Sequence, residues 1–146
     1  MATVKQTIDI EAPVEKVYSF IADHPDGATA FIPGLNRITN VTPAKAGVDQ
    51  TWDYEFNWFG LVISGHSRCT TFDRPRTYQF KTETGNRSIW TYHFEPRGDG
   101  TRLALEVEYD IPQTMLARVA TQGVLEKMNQ ERATETVGNL KALVEA

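Results

Sequence analysis

The chain has 146 residues, 40% of them hydrophobic and 23% charged, which is enough to bury the core of one ordinary domain and too apolar for a disordered chain. Its formal charge is -4, from 19 acidic against 15 basic residues, and the Lys and Arg are scattered, so nucleic acid is not an expected partner. The single cysteine, Cys69, excludes an intrachain disulfide, and no apolar run approaches the ~20 residues that a membrane span needs.

From Thr3 to Ile10 the pattern alternates. Val4, Ile8 and Ile10 fall on one side and Lys5, Thr7 and Asp9 on the other, which predicts a half-buried first strand. The same segment lacks the basic head and apolar block of a signal peptide, and a cytoplasmic location is the expectation. Pro13 suits the first turn of a helix, Glu15 favours its N-terminal dipole, and Val14, Val17, Tyr18 and Ile21 recur at helical spacing. That helix should stop before Pro25. A second short helix is predicted over Asp26 to Ile32, closed by Pro33-Gly34.

Beyond it the period changes from about 3.6 to 2. Turn signals stand at Ala46-Gly47, Phe59-Gly60, Arg74-Pro75, Gly85-Asn86 and Gly98-Asp99-Gly100, so a meander of antiparallel strands is predicted. The clearest strand is Thr51 to Trp58, with Trp52, Tyr54, Phe56 and Trp58 on one face. Tyr78 and Phe80 repeat the theme, as do Trp90, Tyr92 and Phe94, and then Leu103, Leu105, Val107 and Tyr109. From Leu61 to Phe72, His66 and Arg68 share parity with Phe72 while Leu61 and Ile63 have the opposite parity, and a bulge near Gly65 would reconcile them.

Pro112 ends the last strand. Thr114 to Val144 then reads as one long amphipathic helix, with Val124, Leu125, Met128, Val137, Leu140, Leu143 and Val144 apolar and Gly123 as its weak point. A sheet face carrying so many rings needs a cover, and this helix is the natural one. The reading is therefore α+β: one domain over 1–146, with a curved antiparallel sheet of about seven strands around a long C-terminal helix and two short helices after the first strand.

Several local phrases carry a resemblance. They are I-D-I-E-A-P-V-E-K-V-Y-S-F-I-A-D at Ile8 to Asp23, F-I-P-G-L at Phe31 to Leu35, T-F-D-R-P-R at Thr71 to Arg76, W-T-Y-H-F-E-P-R-G-D-G-T-R-L at Trp90 to Leu103, and a closing helix with L-K-A-L. Over essentially its whole length the chain resembles the START and birch-pollen-allergen (SRPBCC) superfamily, in its bacterial polyketide cyclase/dehydrase-like branch. The resemblance implies a helix-grip fold with a deep cavity, used by different members to bind lipids, quinones, hormones or polyketides, and in some to catalyse cyclisation or dehydration. It carries over no catalytic set, because the superfamily has no invariant motif to match here.

The residues themselves suggest the site. Trp52, Tyr54, Phe56, Trp58, Tyr78, Phe80, Trp90, Tyr92 and Tyr109 are candidate cavity wall, since rings give large rigid contact area, although plain core packing would use them equally. Met128 and Arg132 lie one helical turn apart on or beside the stripe facing the sheet, where Arg132 could polarise a ligand carbonyl or instead snorkel to solvent. His66, if it faces inward, is the best general acid or base, and Arg68, Arg132, Tyr54 and Tyr92 complete the weaker catalytic candidates.

His24, His66 and His93 show no metal-ligand spacing, and no G-x-S-x-G, P-loop or G-x-G-x-x-G is present, so neither a metal nor a cofactor is expected. The expected function is binding of a hydrophobic lipid, quinone or polyketide-like molecule. A polyketide cyclase or dehydratase working by acid/base catalysis in the same cavity is the alternative, and a protein-interaction module the third.

Overall fold

The computed structural model describes residues 1–118 and 121–146. Chain order is β1 (Ala2–Ile10), α1 (Val14–Ala22), a 3₁₀ helix (Pro25–Ala30), β2 (Leu35–Thr42), β3 (Thr51–Trp58), β4 (Leu61–Asp73), β5 (Thr77–Thr82), β6 (Ser88–Arg97), β7 (Gly100–Tyr109), a single turn α2 (Gln113–Leu116) and α3 (Gln122–Glu145). All seven strands pair antiparallel in the order β1-β7-β6-β5-β4-β3-β2, and this curved sheet with its long C-terminal helix is the helix-grip architecture.

Directly paired residues of antiparallel strands share a face, so the register lays the rings in transverse rows. One row runs Trp52, Ser67, Thr82, Ser88, Tyr109, and the next runs Phe80, Trp90, Val107, Val4. Neighbouring rings meet within contact distance, Phe80 and Trp90 stacked at 5.7 Å and Trp52 edge-on to Phe80 at 5.3 Å.

Helix α1 buries Val17, Tyr18, Ile21 and Ala22. Tyr18 packs against Phe72 and Phe94, and its hydroxyl donates to the Thr77 carbonyl at 3.0 Å. Helix α3 starts at Thr121, whose Oγ1 accepts from the Val124 N–H at 3.1 Å. It lies along β1, where Gln130 donates to the Lys5 carbonyl at 3.0 Å and Lys141 to the Asp9 carbonyl at 2.9 Å. At its end Glu145 accepts the Glu11 N–H at 2.7 Å.

Four details depart from expectation. Strand β2, which the sequence pattern did not pick out between Pro33-Gly34 and Ala46-Gly47, lies at the sheet edge beyond β3. The long helix predicted from Thr114 is divided into α2 and α3, and its residues 119–120 lie outside the described residues; Gly123 accordingly sits in the first turn of α3 rather than in a helix interior. Its buried stripe is Leu125, Ala133, Thr136, Val137, Leu140 and Val144, whereas Val124 and Leu143 are exposed, because at 3.6 residues per turn they fall beside the row that faces the sheet. The bulge in β4 lies at Thr70, between the pairs Cys69–Phe80 and Thr71–Gln79, not near Gly65.

Candidate functional site

The displaced bulge decides which way β4 points. Up to Cys69 its odd-numbered residues face the helix, since Leu61, Ile63, Gly65 and Ser67 pair with Trp58, Phe56, Tyr54 and Trp52. The extra residue at Thr70 reverses the parity and returns Phe72 to the inner face opposite Tyr78. His66 and Arg68 are thereby left on the outer face: His66 Nδ1 meets Asp53 Oδ1 at 2.8 Å, and Arg68 pairs with Glu83 at 3.1 Å and Asp49 at 3.6 Å. Neither reaches the interior. His24 and His93 are exposed as well.

Between the sheet and α3 lies a cavity of about 150 Å³. Its wall contains Trp52, Tyr54, Phe56, Trp58, Tyr78, Phe80, Trp90, Tyr92 and Tyr109 from the sheet and Arg132 from α3. Met128, expected beside them, does not line it: it stands one position from Asn129, and it is Asn129 that turns inward. The site candidates read from the sequence did not name the aliphatic floor, including Val4, Leu105 and Val107, nor the individual side chains Pro25, Ala28, Phe31, Ile32 and Pro33 of the front wall around the 3₁₀ helix. The punctuation of Asp23 to Leu35 by Gly and Pro was the only local signal for that wall.

Polar atoms in this wall are few. The Trp58 indole N–H donates to Asn129 Oδ1 at 2.9 Å, and Asn129 Nδ2 donates to the Tyr109 hydroxyl at 2.9 Å. On the sheet, Trp90 donates to Ser88 Oγ at 3.1 Å, Ser88 Oγ and Thr82 Oγ1 are 2.9 Å apart, and Thr82 donates to the Asn86 carbonyl at 2.6 Å. The Tyr54 hydroxyl donates to the Thr84 carbonyl at 2.8 Å, and Gly65 and Gly85 pack so tightly around that oxygen that a Cβ at either would collide with it. The buried Tyr78 hydroxyl has no hydrogen-bond partner among the described residues.

Burial raises the pKa of Tyr54, Tyr78, Tyr92 and Tyr109, so each phenol stays protonated at neutral pH and acts as a donor rather than a base. Among the described wall residues there is no Asp, Glu or His, and Arg132 is the one side chain that carries full charge at neutral pH. Nor do the described residues contain a group of three or more His, Cys, Asp or Glu placed to hold a metal ion.

A family model described as polyketide cyclase / dehydrase and lipid transport matches residues 1–145. The chain belongs to that family. Solved structures share the fold of this family member at low identity. A START superfamily protein of Mycobacterium smegmatis is 14% identical, with 98% of this chain and 97% of that chain covered and a TM-score of 0.76. The TTHA0849 protein of Thermus thermophilus is 21% identical over 98% of this chain and 97% of that one, with a TM-score of 0.80. The Zhui aromatase/cyclase of a Streptomyces species is 16% identical over 99% and 93%, with a TM-score of 0.73. No curated protein matches the sequence. Among the described residues no helix is long and apolar enough to cross a membrane.

Proposed function

We propose that this family member binds a hydrophobic small molecule, such as a lipid, quinone or polyketide, between its sheet and α3, as one cytoplasmic domain over residues 1–146. The observation that carries the reading is the wall itself: nine aromatic side chains from the strands surround one cavity and leave few polar groups to orient what enters. The unpartnered Tyr78 hydroxyl is a donor that a ligand oxygen would satisfy.

At about 150 Å³ the cavity is smaller than the roughly 300–1,000 Å³ typical of drug-sized ligands, so a larger molecule requires the wall to widen. The segment from Asp23 to Leu35 is the proposed gate, since it forms the front of the cavity with one short 3₁₀ helix.

The chain has three tryptophans, and all of them line the cavity, so its intrinsic fluorescence reports occupancy. Titration with apolar compounds should shift or quench the emission to saturation at one equivalent, and native mass spectrometry of protein purified from its own host should show a bound apolar species. An unchanged emission together with an empty protein would overturn the proposal.

A cyclase or dehydratase acting in the same cavity is the second reading, favoured by Arg132 standing in one wall with Tyr54 and Tyr92. The Streptomyces relative is an aromatase/cyclase, which adds support. In this reading the guanidinium polarises a ketone and a phenol donates the proton. It predicts turnover of an aromatic polyketide and a loss of ~100-fold or more in Arg132→Gln. Unaltered turnover in that variant would exclude it.

A further inference from the structure

Seven of the nine arginines lie within 4.0 Å of a carboxylate. Arg118 and Arg132 have no such partner among the described residues, although the chain as a whole is acidic at -4. These two converge on one place. The Arg132 guanidinium carbon stands 4.6 Å from the centre of the Phe59 ring, and the Arg118 guanidinium lies directly against Gly60, the next residue.

The turn that gathers them is unusual. Phe59 and Gly60 form the two-residue loop joining β3 to β4, and both have positive φ, 51° and 94°. Glycine adopts that conformation freely, whereas a bulky aromatic residue does so at a cost that the surroundings must offset. Its result is a ring held beneath a guanidinium at the edge of the cavity. Arg132 is half-buried and lines the wall, and Arg118 is exposed, so the pair spans from interior to solvent. Opposite them Gly34, at φ 90°, approaches so closely that a Cβ there would stand 3.2 Å from Arg132 Nη1.

We propose that Arg118 and Arg132 form a head-group site: they hold the oxyanion of an amphipathic ligand whose apolar body lies among the rings. The inference rests on the ligand-binding reading above and adds the charge of the ligand. Guanidinium suits this role because it stays charged, is weakly hydrated, and presents paired N–H donors matched to carboxylate or phosphate oxygens. The adjoining apolar wall keeps water from screening the contact.

The test compares octanoate, octyl phosphate, 1-octanol and octylamine by tryptophan emission at low ionic strength. Octanoate or octyl phosphate should bind about tenfold or more tightly than octanol, with octylamine weakest. A preference for one anion over the other distinguishes a carboxylate site from a phosphate site, and either supports the proposal.

Arg132→Gln and Arg118→Gln should each reduce the preference for the anion over octanol. Arg76→Gln, whose guanidinium pairs with Asp73, should leave that preference unchanged. Arg118 is exposed, so its variant carries the test if Arg132→Gln disturbs folding. Equal binding of octanoate and octanol, or an anion preference that survives in the double variant, overturns the head-group site alone. Binding of none of the four compounds overturns the cavity reading and this inference with it.

Discussion

Asn129 of α3 accepts the Trp58 indole N–H at 2.9 Å and donates to the Tyr109 hydroxyl at the same distance, tying together β3 and β7, strands that are not neighbours in the sheet. The two rings are also in edge contact at 5.7 Å. Asn129→Ala removes both bonds and orphans a largely buried N–H, so it should lower the stability by about 1–3 kcal/mol, read from the urea midpoint. A loss within the error of the method would mean that water replaces the amide.

Cys69 is fully buried, and burial pushes its thiol up to about 11. The reactive thiolate is therefore scarce at mildly alkaline pH, and access to it is closed. Iodoacetamide should modify the denatured chain rapidly and the folded protein only at the rate of opening. Rapid labelling without denaturant would contradict the burial of this side chain.

Glu145 has its carboxyl held below the usual 4.5, first by the Glu11 N–H and then by Lys141. Because the folded value is depressed, the contribution is complete above the unfolded value and is lost as pH falls through the folded one. Wild type should exceed Glu145→Gln in stability at neutral pH, and the difference should shrink on acidification below about 4.5. A gap that widened with acid would reverse the assignment.

Two glycines should respond oppositely to alanine. A Cβ at Gly65 would strike the Thr84 carbonyl and come within 2.8 Å of the Tyr54 hydroxyl, so Gly65→Ala should cost about 1–3 kcal/mol. Gly138 lies exposed within α3 with nothing within 4 Å of its Cβ position, and Gly138→Ala should stabilise by about 0.5–1 kcal/mol. Thermal midpoints moving down and up respectively would agree, and a stabilising Gly65→Ala would refute the crowding between β4 and the β5–β6 loop.

Strands with an unbroken period of 2 were legible residue by residue. Thr51 to Trp58 is strand β3 in full, and its four rings do share the inner face. Strand β2 was not, and the reason is local: its register shifts between Leu35 and Arg37 and again between Thr39 and Thr42, with Asn40 at φ 55°. Its partly buried Leu35, Ile38 and Val41 therefore recur every third residue, a spacing that signals no strand. The bulge at Thr70 had the same effect on β4. Its existence was legible from the conflict of parity, but its position was not, and the position alone decides that His66 and Arg68 face outward.

Local periodicity and turn chemistry depend on residues close in sequence, and these determined the order of elements and the aromatic face of the sheet. What shares the cavity with those rings was decided only by tertiary structure. The cavity-facing part of α3 carries the expected Arg132 together with Asn129, Ala133 and Thr136, and Asn129 stands where Met128 was the expectation, because the azimuth of the helix on the sheet differs by one position from the one the apolar spacing implied. Arg118 and Arg132 meet at the Phe59-Gly60 turn, some sixty to seventy residues away in sequence, through the register of the hairpin and the azimuth of α3. Both are global quantities, fixed by how bulges curve the sheet and how the helix packs on it, and a single row of letters does not display them.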